Sequence, residues 1–374
     1  MANLMKASVG KRRFVFTYKD ASSACNVAPV FLNTPKTVQK TISLIKEASL
    51  HNADLVVFPE THIPGFPLWS ALFPPISPQN HTFFHQLAHQ SISIDGPELH
   101  ALRQACATHH IFAHVGFNER GPASVGCLWN SAVLIGEDGA ILNHHRKLVP
   151  TFYEKLVWAN GDGKGLRVVE TKRLGKVGGL ICGENTNTLA RYALMAQGEQ
   201  LHVSIWPAVW PTRPGGGGKV GEGEGEGKGR QYDNVAANRM RTAAHCFEAK
   251  CFGVLCAGFM DKEMRDTLVK HDPNVAETLD NVTQGASLFL DPTGTQVGEQ
   301  VQGEEGIAYA DLDLNACVEP KQFHDVVGGY QRLDIFDVKV DRKRRDPVTY
   351  LNDAESEGIQ AEGEQETDER TKQT

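Results

Sequence analysis

The sequence contains no CxxC pair; its eight cysteines stand singly at positions 25, 106, 127, 182, 246, 251, 256 and 317. Structural zinc sites need paired cysteines at short spacing, so a structural metal is not expected. At 374 residues the chain is also too large to need disulfide staples. The cysteines read as reduced thiols, and the expected compartment is cytoplasmic. No apolar run is long enough to cross a bilayer, so no membrane partner is expected. The first residues lack the apolar core and cleavage site of a secretory leader.

Positive charge is scarce too. The formal net charge is -7, and the acids cluster at one end. From Leu351 to Thr374 eight acids face two bases, a local charge of -6, so the rest of the chain is close to neutral. Nucleic acid as a main partner needs a basic surface, which this body lacks. The single dense cationic run, "DRKRR" from Asp341 to Arg345, reads as a solvated segment beside the acidic tail. What remains, 41% hydrophobic and 22% charged, suits a globular protein with a sizeable core.

Along the chain, helices alternate with covered strands. "TPKTVQKTISLIKEASL" carries an apolar stripe (Val38, Ile42, Ile45, Ala48) at helical spacing, and "ADLVVF" follows as a short continuous apolar strand. "PELHALRQACATHH" and "IFAHVGF" repeat that order. "LWNSAVLIGEDGAILNHHRK" reads as a hairpin turning at Glu137-Asp138-Gly139. "KVGGLIC", "TLARYALMAQG" closed by Gly198, "LHVSIWP", the long helix "YDNVAANRMRTAAHCFEAK" and "CFGVLCAG" continue the alternation. A second hairpin, "GASLFLDPTGTQVGEQV", echoes the first. The pattern predicts a layered α/β fold of two related sheets in one domain. Two segments fall outside it. Residues 213–231 are Gly/Glu low complexity and read as a surface loop, and residues 351–374 read as a disordered acidic tail.

Three strand ends carry candidate chemistry. Cys182 closes an apolar strand ahead of a helix, where free backbone N–H groups favour an anion and lower a thiol pKa. From local sequence it is equally a buried core cysteine. Glu60 directly follows the apolar run "LVVFP", and strand-terminal carboxylates in layered α/β folds face the site crevice. "NHHRKLVPTFYEK" supplies His144, His145, Arg146, Lys147, Glu154 and Lys155 after a hairpin strand. Alone, that cluster reads equally as a charged strand exit.

Taken together, "VVFPE", "HRKLVPTFYEK" and "LICGEN", in that order, resemble the nitrilase (carbon–nitrogen hydrolase) superfamily, in particular its nitrilase branch. "APVFLN", "QGEQLHVSIWP" and "DPTGTQVGE" extend the resemblance from about Val27 to about Tyr350. The resemblance implies a four-layer α-β-β-α sandwich over residues 27–350, with residues 1–26 an atypical N-terminal segment. It implies a Glu-Lys-Cys triad: Glu60 the base, Lys147 the charge stabiliser, Cys182 the nucleophile, with Glu154 an additional, orienting glutamate. It implies no metal or organic cofactor. The expected reaction is hydrolysis of a small-molecule nitrile by water to acid and ammonia, through a thioimidate and a thioester. An amide-forming nitrile or cyanide hydratase, or an amidase, uses the same triad. An inactive self-assembling scaffold is the alternative of another class, and its mark, a missing triad member, is not found. Assembly as a dimer or longer spiral is a further expectation.

The sequence departs from that pattern in two places. Gly183 stands where many nitrilases carry a bulky aromatic, which implies open space beside the nucleophile or a changed packing of its turn. "RFVFTY" stands in the position of the first strand. Trp206 and Trp210, in "IWPAVW", are candidates for the substrate pocket and equally for the core.

Overall fold

The computed structural model describes residues 19–212 and 232–345. The expected surface loop at 213–231, the acidic tail and the "RFVFTY" strand all lie outside the described residues. The chain divides into two compact units, Met1–Arg342 and Lys343–Thr374, a boundary ahead of the Tyr350 expected from the sequence. Of the second unit, residues 343–345 are described and form neither helix nor strand. Everything below concerns the first.

Two six-stranded sheets form its centre. The first has the order β12-β1-β2-β3-β4-β5, with β1 at Lys19–Asn26, β2 Leu55–Val57, β3 Phe112–Arg120, β4 Leu128–Ile135, β5 Ile141–Arg146 and β12 Gly306–Asp313. The second has the order β11-β10-β9-β8-β7-β6, with β6 at Val169–Glu170, β7 Lys176–Ile181, β8 Leu201–Trp206, β9 Phe252–Ala257, β10 Ala286–Leu290 and β11 Gln296–Gln302. In each sheet three consecutive strands run parallel, β1-β2-β3 and β7-β8-β9. Each parallel set is flanked by one of the two hairpins seen in the sequence, β4–β5 and β10–β11. The echo between the hairpins is thus an echo between sheets.

Alternation along the strands sorts side chains into layers. Leu55 and Val57 of β2, with Ala132 and Leu134 of β4, join Val177, Ile181, Val203, Ile205 and Val254 of the second sheet in the core between the sheets. The intervening Val56, Val133 and Ile135 face outward, into a cluster with Val38 and Ile45 of the helix Thr34–Leu50 and with Leu99 and Leu102 of the helix Pro97–His109. On the other side, Cys246 and Ala249 of the helix Asn234–Ala249 pack with the second sheet, and Ala190 and Leu194 of the helix Thr188–Met195 pack with Leu180 of β7. Helix, sheet, sheet, helix is the expected α-β-β-α sandwich. The Cys256 thiol donates to the carbonyls of Cys25 and Val57, 3.3 Å away in the opposite sheet. Helix starts follow from local chemistry: Asn33, Asn187 and Asp233 each accept a backbone N–H of the first turn. Among the described residues no helix is long and apolar enough to cross a membrane.

The first strand requires a correction. β1 is "KDASSACN", whose small side chains give no apolar-run signal, yet Ser22, Ser23, Ala24 and Cys25 are fully buried. It pairs along its whole length with β12 and in parallel with β2. The segment set apart from the domain therefore supplies an interior strand. A chain beginning at Val27 is expected to show no cooperative melting transition by circular dichroism; a melt like that of the full chain would contradict this.

Candidate active site

The three candidate strand ends meet at one edge of the sandwich. Glu60 follows β2 and Lys147 follows β5, both in the first sheet, while Cys182 follows β7 in the second. All are buried: Glu60 is 2% exposed, Lys147 1%, Glu154 0% and Cys182 6%. The Lys147 ammonium lies between two carboxylates, 2.8 Å from Glu60 Oε1 and 2.6 Å from Glu154 Oε2. One ligand atom each from Glu60, Glu154 and Cys182 lies within 4.8 Å of the others. Such a group of donors is of metal-binding size, but Lys147 Nζ already contacts both carboxylates.

Each carboxylate is oriented by a further bond and leaves one oxygen without a partner. Asn130 Nδ2, on β4, donates to Glu60 Oε1 at 2.6 Å. Glu154 closes a capping box with Thr151: its Oε2 accepts the Thr151 N–H at 2.6 Å. Glu60 Oε2 and Glu154 Oε1 are buried and unpartnered. Glu60 also lines a small cleft with Val27, Phe66, Ala208, Phe259 and Met264. A carboxylate oxygen with a spare lone pair is where a proton from the thiol or a water can go.

Burial sets the proton balance. It alone would pull the Lys147 ammonium down, but its anionic neighbours, Cys182 when ionised and the Glu154 and Glu60 carboxylates, outweigh it and hold Lys147 well above the usual lysine range. Burial pushes Glu154 up to about 7; Lys147 opposes the rise and Glu60 adds to it. Burial pushes the Cys182 thiol well above its usual range, and Glu60 repels the thiolate further. Lys147 and the Gly183 N–H pull the other way and do not prevail. The lowered thiol pKa expected from a helix N-terminus is therefore not found. Burial and Glu60 prevail, and a 3-10 turn, Cys182–Thr186, also separates the cysteine from the helix that starts at Thr188. The resting sulfur is protonated, and the two carboxylates are what keep Lys147 charged.

Cys182 is presented at φ +53, the left-handed region that a non-glycine residue adopts at a cost of about 1–3 kcal/mol. Glu184, two residues on, clamps this elbow. It accepts the Ile181 N–H at 2.8 Å at the end of β7, and the Leu148 N–H and His145 Nε2 beside β5. One side chain thus ties the Cys182 strand to the Lys147 strand across the two sheets. Burial would raise the Glu184 carboxyl, but His145 and these N–H groups hold it below the usual range. The quoted "CGEN" contained Glu184, but its partners are distant in sequence and left no local signal.

The remaining candidates divide. His144 and Arg146 both bond Glu119 on β3, away from Glu60 and Cys182, and Lys155 is exposed. Gly183 does not face open space: a Cβ there would lie 2.6 Å from Thr151 Oγ1. The small residue lets the nucleophile turn pack against the capping residue of the Glu154 turn. Trp206, 1% exposed, is buried in the core of the second sheet beneath the Arg241 guanidinium. Trp210 stacks on Tyr153 at 4.5 Å and contacts Phe66 edge-on, beside the Glu60 cleft.

Comparison with known proteins identifies the family. The family described as carbon-nitrogen hydrolase matches residues 22–322. A nitrilase of Penicillium rubens is 32% identical over 333 residues, 89% of this chain and 96% of the relative. A cyanide hydratase of Gibberella zeae is 31% identical, covering 88% of this chain and 89% of its own length. Among solved structures, a carbon-nitrogen hydrolase of Helicobacter pylori G27 superposes with a TM-score of 0.64 at 18% identity, over 85% of this chain and 97% of its own, which shows the shared fold. With the family matched over most of its length, this chain is a member of the carbon–nitrogen hydrolase family, on its nitrilase branch, and a hydrolase of carbon–nitrogen bonds.

Proposed function

We propose that the protein hydrolyses an organic nitrile to the carboxylic acid and ammonia, with Cys182 as nucleophile, Glu60 as general base, Lys147 as charge stabiliser and Glu154 as orienting carboxylate. The observation that carries this reading is the convergence of the buried Cys182 sulfur with carboxylate oxygens of Glu60 and Glu154, all within 4.8 Å of one another and both carboxylates bonded to Lys147. A thiol that burial keeps neutral needs a base at the moment of attack. As sulfur bonds to the nitrile carbon, its proton passes to Glu60. Lys147 hydrogen-bonds the nitrogen, where negative charge builds, and Glu60 passes its new proton to that nitrogen, giving a thioimidate and an ionised Glu60 again. Water adds to that carbon, Glu60 relays the water's two protons to the nitrogen, ammonia leaves, and a thioester remains with Glu60 ionised. A second water, deprotonated by Glu60, releases the acid and restores the thiol. No step requires a cofactor.

The cleft wall of Phe66, Phe259 and Met264 suits an apolar substituent on the nitrile, with Trp210 as a further wall and Gly183 setting the turn beneath. The relative named cyanide hydratase favours a second reading, in which the tetrahedral intermediate expels the thiolate and the product is an amide. We also propose a homo-oligomer, dimer or larger. A groove on the outer face exposes Leu189, Tyr330, Leu333 and Phe336 together, an apolar surface that a second copy would cover. The eight free cysteines accord with a reducing, cytoplasmic compartment.

A panel of aliphatic, arylaliphatic and aromatic nitriles, with ammonia, acid and amide all quantified, is expected to yield ammonia and acid in equal amounts. Amide alone establishes the hydratase reading. Cys182→Ala is expected to abolish turnover, and residual hydrolysis by a folded variant removes Cys182 from its role. The Glu154 value of about 7 sets a pH expectation. Below it Glu154 is protonated and Lys147 keeps one anionic partner; above it both carboxylates hold the ammonium. kcat/KM should therefore rise as pH increases through about 7, and Glu154→Gln should remove that rise. An inflection that survives in the variant belongs to another group. Light scattering on the purified chain is expected to give at least twice the 41.0 kDa chain mass; a monomer at micromolar concentration refutes the assembly.

A further inference from the structure

A second buried cluster of titratable side chains lies behind the nucleophile turn, and the mechanism above does not use it. Glu199, His202 and His245 are at most 1% exposed, and so is Asn185. We propose that Glu199 and His202 are positioning residues for Cys182, acting through the side-chain amide of Asn185.

The chain of bonds fixes its own protons. Asn185 Nδ2 faces two carbonyls, Cys182 O at 3.0 Å and Leu180 O at 3.4 Å, so this end of the amide is the donor end. Asn185 Oδ1 must then accept from His202 Nε2, 2.8 Å away, and that nitrogen carries hydrogen. The other ring nitrogen, Nδ1, lies 2.9 Å from Glu199 Oε1. A neutral ring with its hydrogen on Nε2 would set a bare Nδ1 against a carboxylate. One extra proton therefore resides between His202 and Glu199. Glu199 Oε2 takes a further bond from His245 Nε2 at 2.6 Å. Burial acts to raise the Glu199 carboxyl, but His202 and His245 outweigh it and hold it at about 2. Burial and the charge of His202 lower His245 to about 4, leaving it a neutral donor. The backbone makes room for this charge: Gly178, opposite His202 in the β7–β8 register, would place a Cβ 2.1 Å from Glu199 Oε1.

The grip falls on the carbonyl of the one residue whose position matters most. Cys182 sits at φ +53, and its carbonyl direction sets the plane of the following peptide. Asn185 is held on one side by that carbonyl and on the other by His202 Nε2, whose ring is itself tied to Glu199. It can neither flip nor withdraw without breaking a buried, charge-assisted bond. Glu184 fixes the turn from the Lys147 side; the Glu199–His202–Asn185 chain fixes it from the opposite side.

The role rests on the assignment of Cys182 as nucleophile, so the test includes a readout independent of nitrile turnover. Asn185→Asp sets an acceptor against the Cys182 and Leu180 carbonyls, and Glu199→Gln keeps shape while removing the negative charge beside the His202 ring. Each is expected to lower kcat by about a hundredfold, the scale of an ångström-level misplacement, with KM nearly unchanged. Each is also expected to slow alkylation of Cys182 by iodoacetamide, followed by peptide mass spectrometry. Both rates are taken per folded molecule, from the melting curve. Variants that fold and keep the parent kcat and alkylation rate overturn the proposal, as do losses that only track the folded fraction. If neither variant folds, nitrogen-15 histidine NMR of the unaltered protein decides: a buried His202 ring with hydrogen on Nε2 is expected, and a bare Nε2 overturns it. A stoichiometric metal in the purified enzyme also overturns it, because a metal would take the lone pairs these bonds use. An unaltered protein inert to every nitrile, whose alkylation still slows in the variants, sinks the proposed reaction and leaves the positioning role standing.

Discussion

The buried ammonium of Lys147 between Glu60 and Glu154 is the interaction on which the site depends. An ammonium with no exposed surface survives only if anions surround it, and two carboxylates at that depth survive only with a cation between them. Removing Lys147 strands two carboxylates in the interior, and removing both carboxylates strands the ammonium. The same interdependence makes the group useful. Lys147 remains charged against burial, Glu154 is left near neutrality, and the thiol stays protonated until a base takes its proton. The cationic donor, base and latent nucleophile of the proposed reaction would thus follow from one packing of opposite charges.

That packing needs strand ends from both sheets in register with each other. The residues that provide this are not the ones that react. Asn130 aims Glu60, Thr151 aims Glu154, and Glu184 ties the end of β7 to the segment after β5. Backbone conformation contributes as well. Thr61 beside Glu60, Phe152 near Glu154, and Cys182 itself all lie at positive φ without being glycine. Strain of this kind persists only where the surroundings over-determine it, and here it occurs at all three loops of the site.

Most of the fold was legible in the sequence because its signals are local. Apolar runs marked β2, β8 and β9, helical stripes marked the outer layers, and acidic turns marked both hairpins. β1 was missed because "KDASSACN" is small and polar; only its neighbours β12 and β2 make it an interior strand. The short helices Pro78–Gln90 and Lys262–His271 also escaped, lacking a strong apolar stripe. At the site, order along the chain brought Glu60, Lys147 and Cys182 together through the family likeness. The protonation state of Cys182 was misread, because a helix start was assumed where a 3-10 turn stands and the repulsion from two carboxylates is a tertiary effect. For Gly183 the sequence leaves open space and a changed packing of its turn as alternatives, and only its neighbour Thr151, remote in sequence, selects the second.

The charge count of the buried group carries a consequence for what departs from it. Two carboxylates and one ammonium leave the pocket with a surplus of negative charge whenever Glu154 is ionised. A nitrile enters uncharged and feels little of that surplus. In the proposed reaction the acid is born as an anion a few ångströms from Glu60, where like charge and poor solvation both raise its free energy. The arrangement that activates the thiol thereby also ejects the product, so that turnover is guarded against inhibition by the acid it makes.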